Sequence, residues 1–359
     1  MECAGRDASI ALAMPGPPPD SADRAFAARV YREEARREGF ARVGIARAGE
    51  PPFAERFRRW LQDGLHAGMN YLADSRPART DTSLLLPNAR SVICLSAPYS
   101  SAPYRAADGC EIARYARGAD YHGALRARAE RVARRAAARL TGGYAHRVCV
   151  DSAPLAERSF AAAAGLGWIG KNGCLIDREL GSYVWLAEIL TDRDLPADEP
   201  IAEQCGACVR CLEACPTRAF VAPALLDASR CLAYWTIEHR GMLPDQIKSA
   251  LGDRVFGCDD CQQACPWNSP TAPAPGDETP PTRQEWLEMG PGRWRRVFAC
   301  STLRRAGRRG VQRNAACSGG ATRDLALLPA LERAACVREA GLADAAAWAA
   351  RRLAAPDGG

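Results

Sequence analysis

The chain has 359 residues with 48 Lys and Arg against 42 Asp and Glu, a formal net charge of +6, and 47% hydrophobic residues. That is the balance of a globular protein long enough for two or three domains, and no apolar run approaches the roughly 18 residues of a transmembrane helix. The net charge is mild, so its distribution along the chain carries more information than its sum.

Residues 1–20 end in prolines and lack the basic start of a signal peptide, so they read as a disordered leader, or as sequence ahead of a start at Met14. From Ser21 an amphipathic helix is expected, with Phe26 and Val30 on one face and Gly39 as its stop. A short strand over 40–46 follows, then a helical piece from Phe57 to Leu65. The continuous apolar run Ser91 to Tyr99 reads as a buried strand. A long Ala/Arg helix from Tyr121 to Leu140 precedes a strand over 146–150, and Ser182 to Leu190 reads as the last strand. Strand and helix alternate, which argues for an α/β domain over residues 21–195.

Asp151 falls just beyond the carboxyl end of a strand, where an open α/β sheet places its ligands. It could instead cap the helix expected to follow, which carries Glu157 in its first turn. Gly165, Gly167, Gly170 and Gly173 then allow close backbone approach. The G-x-G-x-x-G spacing among them follows a helix and not a strand, so it fails as a dinucleotide fingerprint. Lys171 and Asn172 in this stretch suit either a cofactor contact or a surface position. His122 and His146 read as ordinary satisfied polar groups.

Of 16 cysteines, eight form a pattern. Cys205, Cys208, Cys211 and Cys215 before Pro216 spell C-x2-C-x2-C-x3-C-P, the bacterial ferredoxin run. Cys258, Cys261 and Cys265 before Pro266 form a second run one cysteine short, and Cys231 between them supplies the eighth thiolate. Because the cysteine before proline serves the other cluster, Cys205, Cys208, Cys211 and Cys265 are assigned to one [4Fe-4S] centre, and Cys215, Cys231, Cys258 and Cys261 to the second. A structural zinc would also suit C-x2-C pairs, but leaves both Cys-Pro ends unexplained. Clustered thiols of this kind belong to a reducing compartment. This electron-transfer region spans 196–269.

A Pro-rich linker is expected over 270–285, and a helical region over 286–359. From Arg293 to Arg313 there are eight arginines and no acid. That density, with Gln312 and Asn314 beside it, suits phosphate contact as well as a solvated helical face.

The stretches "VDSAPLAERSFAAAAGLGWIGKNGCLI", "CGACVRCLEACPTRAF", "RCLAYWTIEHRGMLPD" and "FGCDDCQQACPWN" together resemble the epoxyqueuosine reductase family, over roughly Asp23 to Asn314. The resemblance implies a cobalamin-binding α/β (α+β) catalytic domain, a two-cluster ferredoxin-like domain and a C-terminal all-α HEAT-like segment that is short here. It implies cytoplasmic reduction of epoxyqueuosine to queuosine at the tRNA wobble position, by a monomer served by a ferredoxin or flavodoxin. Electrons would pass through the clusters to base-off cob(II)alamin, with no protein imidazole as lower ligand. Asp151 matches the proton donor, and would need burial to raise its pKa above the usual carboxylate value. Corrinoid contacts map to Arg79, Ala113, Asp151, Leu175, Leu186, Asp259 and Asp260. Contacts to tRNA map to Arg304, Arg308, Arg309, Arg313 and Asn314.

Two other functions use parts of this pattern. A corrinoid reductive dehalogenase shares the cofactors, but it is exported behind a twin-arginine leader and has no use for the arginine-rich tail. A ferredoxin-like electron carrier leaves the whole region before Cys205 without a role.

Overall fold

A computed structural model describes residues 20–269 and 279–355. The expected leader and most of the expected linker lie outside these residues.

The sheet expected in the first half is present with four strands in the order Arg42–Arg47, Ser91–Pro98, Val184–Thr191, His146–Cys149. Every neighbouring pair is antiparallel, so the alternation of helix and strand gives an α+β arrangement and not a parallel α/β sheet. Alternation reports the order of elements but says nothing of strand direction. Both faces are nonetheless covered, which is why the central strand Ser91–Pro98 reads as a continuous apolar run and Val184–Thr191 is apolar up to Leu190 apart from Glu188. Ser21–Arg37 and Tyr121–Arg139 lie on one face, burying Ala27, Val30, Tyr31, Leu125, Ala129 and Val132 against Ile45, Ile93 and Ile189. The helix Glu157–Ala163 lies on the other, placing Phe160 and Ala161 against Val92, Cys94 and Leu190. The first helical piece after the opening strand starts earlier than expected, at Ala54, since Pro51 ends the preceding extension and its carbonyl accepts the Ala54 N–H at 3.0 Å.

The C-terminal part is helical: Arg283–Glu288, Pro291–Val297, Gly307–Ala321, Leu328–Ala335 and the alanine-rich Ala340–Ala354. Thr282 opens it with a capping box to Glu285, so the expected linker's last residues already belong to a helix. Domain boundaries read from the sequence do not follow the cores. Trp286, Val311, Ala315, Leu331, Leu342 and Trp348 share one apolar core with Leu232, Leu251, Val255 and Phe256 of the cysteine-rich region and with Cys110, Ile112 and Ala116 of the first. The short strand Glu111–Ile112 pairs in parallel with Arg254–Phe256, which ties the second cysteine run to the first half of the chain. Among the described residues no helix is long and apolar enough to cross a membrane.

Candidate active site and cluster cavities

The strand His146–Cys149 ends in buried Val150, and the chain then turns at Asp151 with φ of 43°, a left-handed conformation that costs a non-glycine residue energy. The turn aims the Asp151 carboxylate at His122, with Oδ2 2.8 Å from Nε2. The other ring nitrogen, Nδ1, lies 2.5 Å from Asp120 Oδ1. Asp120 is itself the N-cap of Tyr121–Arg139, accepting the His122 main-chain N–H at 3.0 Å. With a carboxylate at each nitrogen, the ring donates on both sides and carries both protons. The Asp151 carboxylate first, then Asp120, pushes the His122 pKa up to about 9.

The same contact holds the Asp151 carboxyl below its usual range. This corrects the expectation of a burial-raised aspartic acid: the Asp151 side chain is 60% exposed, and the proton of the resting pair sits on His122. Asp151 does not cap the next helix either. Glu157–Ala163 begins behind Ala156 without a side-chain cap, and the Asp151 N–H is instead accepted by Glu157 Oε1. His122, read from the sequence as an ordinary polar group, is thus Asp151's direct partner. Tyr121 stacks on the His122 ring at 4.2 Å and on Trp185 at 5.1 Å, centroid to centroid.

Several of the residues mapped to a corrinoid converge here. Leu175, Leu186 and Ala78, the neighbour of Arg79, pack in one apolar cluster with Ala153 and Leu155 of the Asp151 loop. Arg79 Nη1 lies 3.4 Å from the Leu155 carbonyl. Tyr115 sits between this group and the second cysteine run, within electrostatic reach of both Asp151 and Asp259. Ala113 donates its N–H to Phe256 O at 2.7 Å. Its close approach needs Gly257, where a Cβ would lie 2.4 Å from that of Ala113. Asp259 and Asp260 are already paired within the protein. Asp259 Oδ2 accepts the Arg114 main-chain N–H at 2.8 Å and Nη1 at 3.1 Å, and Arg254 Nε donates to Asp260 at 3.0 Å. The chemistry of the region suits a macrocycle with an amide rim: apolar Leu175 and Leu186 beside the half-buried Arg79 guanidinium.

The thiols gather as two groups. Cys205, Cys208, Cys211 and Cys265 line one pocket, together with Lys171, Asn172, Ile176, Pro266 and Trp267. Cys231, Cys258 and Cys261 lie within electrostatic reach of one another, and Cys215 within reach of Cys231. Among the described residues no three His, Cys, Asp or Glu side chains converge on a single-ion position, and the first four thiols instead line a common pocket. A four-thiol donor set around such a cavity fits a cubane. Lys171 Nζ donates to Gly206 O at 2.5 Å, while Asn172 Nδ2 reaches Cys261 O at 3.4 Å. One loop therefore braces both cysteine runs, and its own hairpin closes tightly at Gly167, where a Cβ would meet Ile176 O at 2.1 Å.

The arginine-rich segment divides into outer and inner residues. Arg304 is exposed, and Arg308 and Arg309 are half-buried and both donate to Gln312 Oε1, at 2.9 and 3.1 Å. Arg313 and Asn314 are 2% and 0% exposed. Arg313 donates to the carbonyls of Trp235, His239 and Gly241, and Asn314 to those of Thr236 and Val255. Their assignment to tRNA is corrected: they pin the helices to the cysteine-rich region. Arg295 and Arg296, which the sequence reading did not single out, are exposed on the helix Pro291–Val297.

Residues 204–268 match a family described as a 4Fe-4S double cluster binding domain, and residues 79–152 match one described as epoxyqueuosine reductase QueG, DUF1730. The chain is 43% identical over 257 residues to the epoxyqueuosine reductase of Xanthomonas campestris pv. campestris, covering 70% of this chain and 71% of that protein. It is 42% identical over 310 residues to that of Gloeobacter violaceus, covering 82% and 96%. A crystal structure of an epoxyqueuosine reductase with an epoxyqueuosine-modified tRNA-Tyr stem loop superposes with a TM-score of 0.81 at 28% identity, over 91% of this chain and 90% of that one. The Bacillus subtilis enzyme, captured with its catalytic aspartate loop swung out of the active site, superposes at 0.79 with 27% identity over 91% and 90%. On its sequence, its double-cluster region and its fold, the chain belongs to the epoxyqueuosine reductase family.

Proposed function

We propose that the chain reduces epoxyqueuosine to queuosine in tRNA, with Asp151 delivering the proton that opens the epoxide. The observation that carries this reading is the line Asp120–His122–Asp151, in which a protonated imidazole stands 2.8 Å from the carboxylate beyond a strand end. Bound cobalamin would supply a low-valent cobalt nucleophile for the epoxide carbon, fed with electrons by the two clusters. The residues that would hold it are Arg79, Ala113, Leu175, Leu186 and the Asp259–Asp260 segment, the last through main-chain atoms since both carboxylates are engaged.

The chain's own part is to manage protons. As negative charge develops on the substrate oxygen, the His122 proton moves to Asp151 and the Asp151 proton to that oxygen. General acid catalysis of this kind contributes about 10² to 10⁴ in rate. Asp120 keeps the imidazole oriented and charged, and His122, 28% exposed, is recharged from water for the second proton. Tyr121, itself stacked on Trp185, limits its motion by stacking.

Cys205, Cys208, Cys211 and Cys265 would hold one cluster and Cys215, Cys231, Cys258 and Cys261 the other. The helices from Arg283 to Ala354 are read as a short HEAT-like platform, on which Arg295, Arg296 and Arg304 present guanidinium groups to tRNA phosphates. The likeness to a relative solved with a tRNA stem loop supports this placement. A ferredoxin or flavodoxin would supply electrons to a monomer working in the cytoplasm, where substrate tRNA and reduced thiols coexist.

The test is anaerobic reconstitution with iron, sulfide and cobalamin, followed by nucleoside mass spectrometry of epoxyqueuosine-bearing tRNA. Queuosine is expected from the wild type and not from Asp151→Asn with cofactors retained. No queuosine from fully loaded wild-type protein would overturn the proposal.

A further inference from the structure

Glu188 lies in the central strand Val184–Thr191, its Cα paired with Cys94 on one side and Cys149 on the other. It is 0% exposed, and among the described residues no donor reaches either carboxylate oxygen. The side chain in hydrogen-bonding position beside it is the carboxyl of Glu157, in the first turn of Glu157–Ala163. Two carboxylates have no hydrogen between them, so ionised together they repel out of water; a single proton turns that repulsion into an O–H···O bond.

The surrounding groups do not supply a substitute. Arg79 and Arg158 face Glu157, but their guanidinium groups donate to the carbonyls of Leu155 and Gly173. Asp151 adds a further negative charge from the loop, and the long helix contributes the Tyr121 phenol, the His122 imidazole against Asp151, and Arg126 near Cys149. The flanking strands bring the Cys94 and Cys149 thiols, with Asp198 beyond the first and Arg126 and Arg147 beyond the second. Burial and the Asp151 charge push the Glu157 pKa up to about 8, and burial beside Glu157 pushes Glu188 well above the carboxylate range.

Glu157 also holds the catalytic turn. Its Oε1 accepts the main-chain N–H of Asp151, the residue at positive φ. We propose that Glu157 and Glu188 share one proton and that this pair, through the Asp151 main-chain N–H, keeps the Asp151 loop in its working position. Glu188 is then a positioning residue, acting on Asp151 through Glu157. When the shared proton leaves, two like charges face each other without a donor, Glu157 is driven off, and the Asp151 turn loses its anchor. The inference rests on the reading of Asp151 as the acid.

Two measurements on the full chain test the pair without turnover. Infrared difference spectra should show the carbonyl stretch of a protonated buried carboxyl at neutral pH, lost in Glu188→Gln, whose amide donates permanently to an ionised Glu157. Hydrogen–deuterium exchange, corrected for intrinsic rate, should show protection around Asp151 failing on the alkaline side in the wild type, as the shared proton leaves the pair. In Glu188→Gln it should persist at least about one pH unit higher, and turnover should follow the same shift. No protonated carboxyl band at neutral pH, or the same alkaline loss of protection in the wild type and Glu188→Gln, would overturn the proposal. Turnover retained by Asp151→Asn alongside the expected spectra and exchange would instead sink the acid assignment and leave the latch standing.

Discussion

The main-chain N–H of Asp120 donates to the carbonyl of Cys300 across 2.7 Å. The residue that orients His122 is therefore fixed to the segment that follows the exposed arginine helix, and the proton-handling line and the surface read as tRNA-facing share one rigid joint.

His122→Gln should lower single-turnover reduction about 10²-fold or more with cluster and corrinoid loading unchanged, as nucleoside mass spectrometry and absorption would report. It should also alter stability with pH. The folded His122 pKa of about 9 lies above the ordinary 6.5, so the stabilisation is present in full below about 6.5 and is lost as pH rises through about 9. On the acid side the lowered Asp151 pKa makes the same pair fail as pH falls through the folded value. Thermal unfolding of wild type against variant should differ by on the order of 2 kcal/mol near pH 6, after allowance for solvent screening, and converge above about pH 10.

Cys265→Ala and Cys231→Ala should each strip one cluster and spare the other. Iron per chain should fall from about eight to about four, and electron paramagnetic resonance of the reduced proteins should show two different surviving signals. Loss of both signals in either variant would contradict the division of ligands.

Arg295→Ala with Arg296→Ala should weaken tRNA binding and reduce the salt dependence by roughly one unit per lost phosphate contact, with an unchanged melting temperature. Arg313→Ala should behave oppositely. It removes donors to three carbonyls from a side chain 2% exposed, and leaving buried acceptors unpaired costs about 1–3 kcal/mol each. A denaturant titration should show a loss of several kcal/mol, and Arg313→Lys should not restore it because an ammonium lacks the planar fork.

Asp259→Ala should destabilise the protein by about 3–5 kcal/mol, since it strands the Arg114 guanidinium in a buried position. Because Asp259 lies between Cys258 and Cys261, the spectrum of that cluster should change as well; an unaltered spectrum and midpoint would show the pair to be dispensable.

What could be read from the sequence was whatever local spacing encodes. Ligand cysteines announce themselves through intervals of two and three residues, and Asp151 through its place after a strand. His122 was missed because its contact with Asp151 joins positions 29 apart; the nearest signal was the Asp120 cap two residues before it. Arg313 and Asn314 were misread because a run of arginines looks like a surface, and only the packing of Gly307–Ala321 separates the side that faces Thr236 and Val255 from the side that faces solvent. Glu188, a single acid inside an apolar strand, carried a signal of its own in being out of place there. Strand direction had no local signature at all.

The shared core of the C-terminal helices and the cysteine-rich region also sets an order of events during synthesis. Gly320 lets Trp348 and Ala349 of the last helix sit against Gly307–Ala321, which in turn carries the pins to Thr236 and Val255. The clamp on the thiol scaffold is therefore made by helices that follow both cysteine runs in the chain, and it can form only after those runs have been synthesised.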